Sequence, residues 1–311
     1  MKIGRNPLED NDFSRKKTTL SNAKSPLSTP STFFGLGSVG VMRILGKLSL
    51  IIAGLLILFP IYWTVNLSLQ TIEQITSWNP FWFPVTPTLS WYQAVFSKAN
   101  IIQPVMNTLI VSISSTVCVL FLSITAAYPL ARLRFPMRGL LFTIIISTMM
   151  IPEQVLIIPR YLMTYRLGLL NTYAGLFVPY LGWPFGLFLL TQFMGRIPKE
   201  IEESAKMDGA GYINILWSII IPLCKGPLIT LGVIEFLGNW NFFQWPLIVI
   251  NDDNMRTLAI AVFFLQGKTR GAADVGMIFV GAIFCILPVL LIYLFFQRHI
   301  VGSLGQLQMK G

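Results

Sequence analysis

The chain has 311 residues, of which 54% are hydrophobic and 12% charged, and its net charge is +10. Soluble globular proteins carry about 25% charged residues, so this chain has too little charge to cover a water-facing surface of its size. Apolar runs of about 20 residues recur along it, each long enough to cross roughly 30 Å of hydrocarbon as a helix, which excludes an ordinary soluble fold.

The basic excess has a membrane explanation, because Lys and Arg gather beside spans on the cytoplasmic side. No RNP-like, finger or helix-turn-helix pattern is present, so a nucleic-acid partner is excluded. Cys118, Cys224 and Cys285 are far apart and form neither a C-x-x-C pair nor a disulfide framework. His299, the one histidine, has no metal-ligand companions in sequence.

In chain order, residues 1–43 are rich in Ser, Thr, Pro and Asn with the basic run Arg15-Lys16-Lys17, and read as a disordered cytoplasmic tail. The following apolar stretch is too long for a signal peptide and no A-x-A site follows it. Six spans are expected, at 48–69, 105–130, 140–158, 174–194, 227–250 and 275–297, within a transmembrane domain of residues 44–300. Residues 301–311 read as a cytoplasmic tail. The expected fold is thus an all-α integral membrane protein. With the N-terminus cytoplasmic, 17 of the 23 Lys and Arg fall inside and six outside, which places both termini in the cytoplasm. The short Arg132-Leu-Arg134-Phe-Pro-Met-Arg138 loop is the strongest local part of that bias. The outer loop 70–104 carries Trp78, Trp82, Trp91 and Tyr92, side chains suited to the lipid headgroup level.

Two nucleotide-like patterns fail on context. Gly35-Leu36-Gly37-Ser38-Val39-Gly40 follows a polar tail instead of a strand and precedes a span. Gly40 to Lys47 resembles a P-loop, but Leu48 stands where a Ser or Thr must bind magnesium. No ATP and no other cofactor is expected on this chain, so energy must come from a partner or a gradient.

The loop between the fourth and fifth spans, about 196–223, is the most informative segment. Pro198 suits a first helical turn, and Glu200, Glu202 and Glu203 complement the positive end of a helix dipole. Ser204, Ala205, Gly209, Ala210 and Gly211 are small enough for another surface to approach the backbone. Gly209 can end one helix and let a second start near Tyr212. The expectation is a short helix-turn-helix on the cytoplasmic side.

In the fifth span Glu235, Asn239, Asn241 and Gln244 lie among Trp240 and Trp245. Polar groups in a span are costly unless they face a cavity or a partner. Hydrogen-bonding side chains beside flat rings suit a sugar, and helix packing by polar residues is the alternative. Glu153 and Gln154 in the third span are weaker candidates for the same path.

The loop resembles the EAA loop of permease subunits in binding-protein-dependent ABC importers, E-A-A, three residues, G, nine residues, I-x-L-P. Here it stands as Glu203-Ser204-Ala205, then Gly209, then Ile219, Ile221 and Pro222, with Ser204 for Ala and Ile221 for Leu. Asp208 belongs to the D-G-A core. Pro198-Lys-Glu-Ile-Glu-Glu203, residues 167–176, residues 240–247 and the Met309-Lys-Gly311 ending are similar to the carbohydrate-type branch, the maltose-permease-like second subunit. The ending Q-L-Q-M-K-G departs from the usual G-A-V-K-G.

The resemblance implies a type I ABC importer-like fold in the bacterial inner membrane. The partners it implies are a second permease subunit, two cytoplasmic ATPase subunits that use ATP and Mg²⁺, and an external solute-binding protein, with membrane lipid around the spans. It also implies alternating access, with the EAA helix acting as a coupling helix on the ATPase. Two other classes compete. A gradient-driven secondary transporter acting alone commonly shows repeated halves, and no clear repeat is found here. A membrane enzyme needs a nucleophile–base pair or an acidic and histidine cluster, and none is evident.

Overall fold

Lipid offers the backbone no hydrogen-bond partners, so an apolar span must satisfy its N–H and C=O groups internally. The computed structural model describes residues 35–268 and 275–308, with side chains from 42 to 265 and from 275 to 297. All regular elements among the described residues are helical. The tail before residue 35 and the Met309-Lys-Gly ending lie outside them, as does the side chain of His299.

The chain divides into two units within its first helix, at Leu58 and Phe59. That helix, α1, runs Gly35–Ser68 and so begins inside the stretch expected as tail. From Met42 to Leu58 its side chains are exposed except for half-buried Gly54. A span bathed in lipid tails needs no protein partner for such side chains.

The second unit starts at Phe59. Polar residues at the end of α1 pin the loop that follows. Asn66 and Gln70 donate to the carbonyl of Phe81 at 2.9 and 2.8 Å, and Trp91 Nε1 donates to the carbonyl of Gln70 at 2.7 Å. Two short helices, α2 Ile72–Ile75 and α3 Ser90–Ser97, lie in this loop. Trp82 packs edge-on against Trp63, whereas Trp78 is 98% exposed.

The long helix α4, Ile102–Arg132, packs against α7, α8, α12 and α14. Its buried Thr108, Ser112, Ser115, Ser123 and Ala127 are small, which lets neighbouring helices come close. Two bent helix pairs follow. The first is α5 Arg138–Ser147, extended by a 3₁₀ turn to Met150, and α6 Glu153–Arg166, bent by 102°. Pro152 ends the first helix here, because its ring would clash with the carbonyl of Thr148 and it has no N–H to donate. The second is α7 Tyr173–Phe177, with a 3₁₀ turn to Tyr180, and α8 Pro184–Gly195, bent by 52°.

Next come α9 Lys199–Met207 and α10 Tyr212–Ile215, a π turn over Leu216–Ile220, α11 Ile221–Leu223 and, after an 80° bend, α12 Lys225–Trp240. The chain closes with α13 Gln244–Val249, α14 Leu258–Lys268 and α15 Val275–Gln308. Met42–Ser68, Ile102–Arg132 and Val275–Gln297 are long and apolar enough to cross a membrane unbroken; counting each bent pair as one span brings the total to as many as six.

Three expectations about spans need correction. The third does not end at 158: it breaks at Pro152 and continues as α6 to Arg166. The fifth does not run to 250. It ends at Trp240, and Pro246 forbids a helix through Phe242, so α13 starts afresh at Gln244. The stretch expected as an outer loop before the last span contains α14, whose Leu258, Ile260 and Leu265 are buried. Its 11 residues are too few to cross, so no span signal marked it. Thr108 Oγ1 of α4 accepts the N–H of Leu258 at 2.7 Å and satisfies a donor at the start of α14.

Candidate functional site

The loop between α8 and α12 is built from local chemistry. Pro198 caps α9 with extended backbone, Glu200 and Glu202 occupy its first turn and Lys206 its last, each sign matching the helix dipole. At its end the Ala210 N–H reaches the carbonyl of Ala205 at 2.9 Å and the Gly209 N–H that of Lys206 at 3.0 Å, the bond pair of a Schellman motif. Gly209 makes the turn in left-handed backbone, φ +85°. The helix break therefore lies where the sequence placed it, with α10 starting at Tyr212.

The two faces of α9 differ. Glu203, Ser204, Met207, Asp208 and Gly209 are exposed. Ala205 packs against a core made by α4, α8, α10 and α12, including Tyr128, Leu190, Met194, Ile215 and Leu231. Glu202 is buried and pairs with Arg132, the last residue of α4; their side chains are 7% and 2% exposed. Arg132 Nη1 also donates to the carbonyls of Met194 at 3.2 Å and Ile197 at 2.8 Å. Beyond the turn, Ile219 is half-buried within the π turn and Pro222 is exposed in α11. The π turn ends just before Pro222, with the Ile221 N–H bonded five residues back to Leu216.

The polar group of α12 is drawn together only in part. Glu235 Oε1 accepts from Asn239 Nδ2 at 2.7 Å and from Ser115 Oγ of α4 at 3.1 Å. Asn241 is exposed at the end of the helix, its Nδ2 donating to the carbonyl of Leu237 at 2.9 Å, and Gln244 is exposed at the start of α13. Trp240 stands apart from this group. It is 2% exposed, its Nε1 donates to the carbonyl of Cys285 in α15 at 3.0 Å, and its ring stacks on Phe236, so it offers no free face to a solute. Trp245 is likewise buried, donating to the carbonyl of Gly175 at 2.9 Å. Glu153 and Gln154 sit on the exposed first turn of α6. Glu153 faces Arg160 at 3.4 Å, whose guanidinium covers the Tyr180 ring at 3.9 Å.

Sequence reading missed Arg132 as a partner of Glu202, Ser115 as a partner of Glu235, and Asn107. Asn107 is fully buried, donates to the carbonyls of Asn254 and Arg256 at 2.7 and 2.9 Å, and accepts from Tyr173 at 2.8 Å. It holds the loop before α14. Buried polar residues in apolar runs were the available signal, but their partners lie 66 to 149 residues away. No group of three or more His, Cys, Asp or Glu suited to a metal ion occurs among the described residues.

Bent helix pairs beside the long apolar α4, with a two-helix elbow before α12, make this an integral membrane protein of several helices. Residues 119–305 match the family model of the binding-protein-dependent transport system inner membrane component. The chain is 32% identical to the sn-glycerol-3-phosphate transport system permease protein UgpE of Rhizobium meliloti, over 85% of this chain and 96% of that one. It is 31% identical to the arabinooligosaccharides transport system permease protein AraQ of Bacillus subtilis, over 87% and 97%. Its fold is similar to a chain in the crystal structure of a bacterial ABC transporter involved in the import of the acidic polysaccharide alginate. The TM-score is 0.75 at 24% identity, covering 84% of this chain and 97% of that one.

The chain belongs to the family of inner membrane components of binding-protein-dependent transport systems. It is a permease subunit of an ABC importer, with the type I fold, and the reading as a lone secondary transporter is not favoured.

Proposed function

We propose that this chain forms, with a second permease subunit, the membrane path for a sugar or sugar-like solute, and that two ATPase subunits drive it while an external binding protein delivers the solute. The chain itself is non-catalytic and binds no cofactor; ATP and Mg²⁺ are handled by the ATPase subunits. The observation that carries this reading is the α9–α10 elbow, which shows an exposed polar face outward while its inner face is fastened to α4. In this reading the elbow is the coupling element, with Glu203, Ser204, Asp208 and Gly209 at the ATPase, Ala205 seating the helix on the core behind them, and Ile219 and Pro222 shaping the return to the membrane. The elbow and both termini lie on the cytoplasmic side, supported by the distribution of Lys and Arg.

The sugar-like class is supported by relatives named for sn-glycerol-3-phosphate and for arabinooligosaccharides, both rich in hydroxyl groups. Glu235, Asn239, Asn241 and Gln244 supply hydrogen-bonding groups for such a solute, with Glu153 and Gln154 nearer the edge of the path. ATP-driven closure of the ATPases draws the coupling elements together and switches the spans between inward- and outward-open states, each partner favouring one of them.

The test is purification of the assembled importer. The ATPase should copurify with the parent chain and be stimulated by the solute-loaded binding protein. Glu203→Lys should still insert but shed the ATPase or lose stimulation. A parent chain that transports with no ATPase attached would refute the reading, and full stimulation in Glu203→Lys would remove Glu203 from the docking surface.

A further inference from the structure

Arg132 joins three helices at one buried point. It closes the last turn of α4. Its Nε meets the Glu202 carboxylate in the first turn of α9, and Nη1 holds the carbonyls of Met194, in the last turn of α8, and Ile197 just beyond it. Nη2 reaches the carbonyl of Pro198, which caps α9, at 3.4 Å. The cation thus sits at the negative ends of α4 and α8, where both helix dipoles favour it, and its carboxylate partner lies in the first turn of α9, where the dipole favours an anion. A guanidinium presents its donors in a fixed planar fork, which sets the angle between the groups it holds as well as their separation.

Burial makes the joint stiff. At 2% and 7% exposure the two side chains are scarcely screened by salt or water. Pulling them apart would leave a charge and two helix-end carbonyls without partners. The neighbouring Glu203 is exposed, turned by about 100° around α9 from Glu202. Two successive acids therefore divide the work, one turned inward to the chain and one outward.

We propose that Arg132 is a positioning residue that makes α9, the end of α8 and α4 move as one body, so that displacement of the elbow is delivered to α4 without slack. This rests on the reading of α9 as the ATPase-facing element. From Arg132 the helix continues unbroken to Ser115, roughly 25 Å away at the α-helical rise. There Ser115 Oγ donates to Glu235 of α12. The joint and this hydrogen bond stand at two points of α4, linking the elbow to the polar cluster of α12.

The experiment uses the complete importer with its ATPases and binding protein. Cys118, Cys224 and Cys285 are replaced, and spin labels are placed through Met207→Cys on α9 and Leu122→Cys on α4, both exposed positions. The label-to-label distance is measured without nucleotide and with ATP trapped. In the parent it should be the same in both states. In Arg132→Gln it should differ between states, and solute moved per ATP hydrolysed should fall about tenfold, within the usual range of coupling between sites. Arg132→Lys, which keeps the charge and loses the fork, should fall between. If Arg132→Gln does not assemble, Glu202→Gln gives the same comparison, because it removes the charge and keeps an acceptor for Nε. A parent distance that changes between states as much as the variant's would overturn the proposal, and so would an unchanged transport-to-ATP ratio in the variant. Failure of the docking reading would show separately, as a parent complex lacking the ATPase.

Discussion

Replacing Gly209 separates backbone conformation from surface contact at the turn of the elbow. Its φ of +85° lies in the left-handed region, and no atom stands within 4 Å of the place a Cβ would take. Within this chain, then, alanine meets no clash, and its whole cost is conformational, about 1–2 kcal/mol for an L-residue in left-handed backbone. That energy weakens the two bonds closing α9, from Gly209 to Lys206 and from Ala210 to Ala205, and shifts the formed turn toward open states by a factor of about 5 to 30. Asparagine visits left-handed backbone readily and should recover much of the loss. Valine, being β-branched, should cost more than alanine. The assay is ATP hydrolysis by the assembled importer with and without solute-loaded binding protein, on complexes matched for ATPase content. Stimulation should fall in the order Gly209, Asn, Ala, Val. If asparagine is no better than alanine or valine, the backbone argument fails, and the open space beside Gly209 is the seat of a partner.

Glu235→Ala and Asn241→Ala should each impair solute uptake while the ATPase still copurifies; normal uptake in both would make these residues packing groups. Cysteines near Arg134 and at Met207 should react with a membrane-impermeant thiol reagent only from the cytoplasmic side, and those near Trp82 and Asp252 only from outside, so labelling of Met207→Cys from outside would invert the topology. Gly175→Ala should prevent proper folding, because its Cβ would lie 2.0 Å from the backbone carbonyl oxygen of Leu169 in a turn that cannot yield, and recovery of normal amounts of membrane-inserted protein would refute that packing.

How much could be read in advance depends on the range of the interaction. The turn at Gly209 was legible because its determinants are neighbours: a proline-capped start, acids then a lysine along one short helix, and a glycine where a Cβ resists the required φ. The helix breaks at Pro152 and before Pro246 were half legible. Pro152 and Pro246 announce that a helix must stop, but the 102° change of direction at Ile151-Pro152 is set by what α6 packs against. Trp240 misled for a similar reason. A tryptophan beside asparagines suggests a ring for a sugar, whereas its indole N–H is engaged with Cys285, 45 residues on, and its face is covered.

The sequence by itself determined that this is a membrane protein of several helices with a polar elbow before its penultimate segment, because apolar length, helix capping and backbone freedom are properties of contiguous residues. Only the tertiary structure decided that Arg132 clasps Glu202 across 70 positions, that Ser115 reaches Glu235 across 120, and that α14 is a packed helix too short to cross. A buried charge or hydroxyl advertises a need for a partner. Which partner meets it depends on how the helices pack side by side, and no local stretch of chain contains that information.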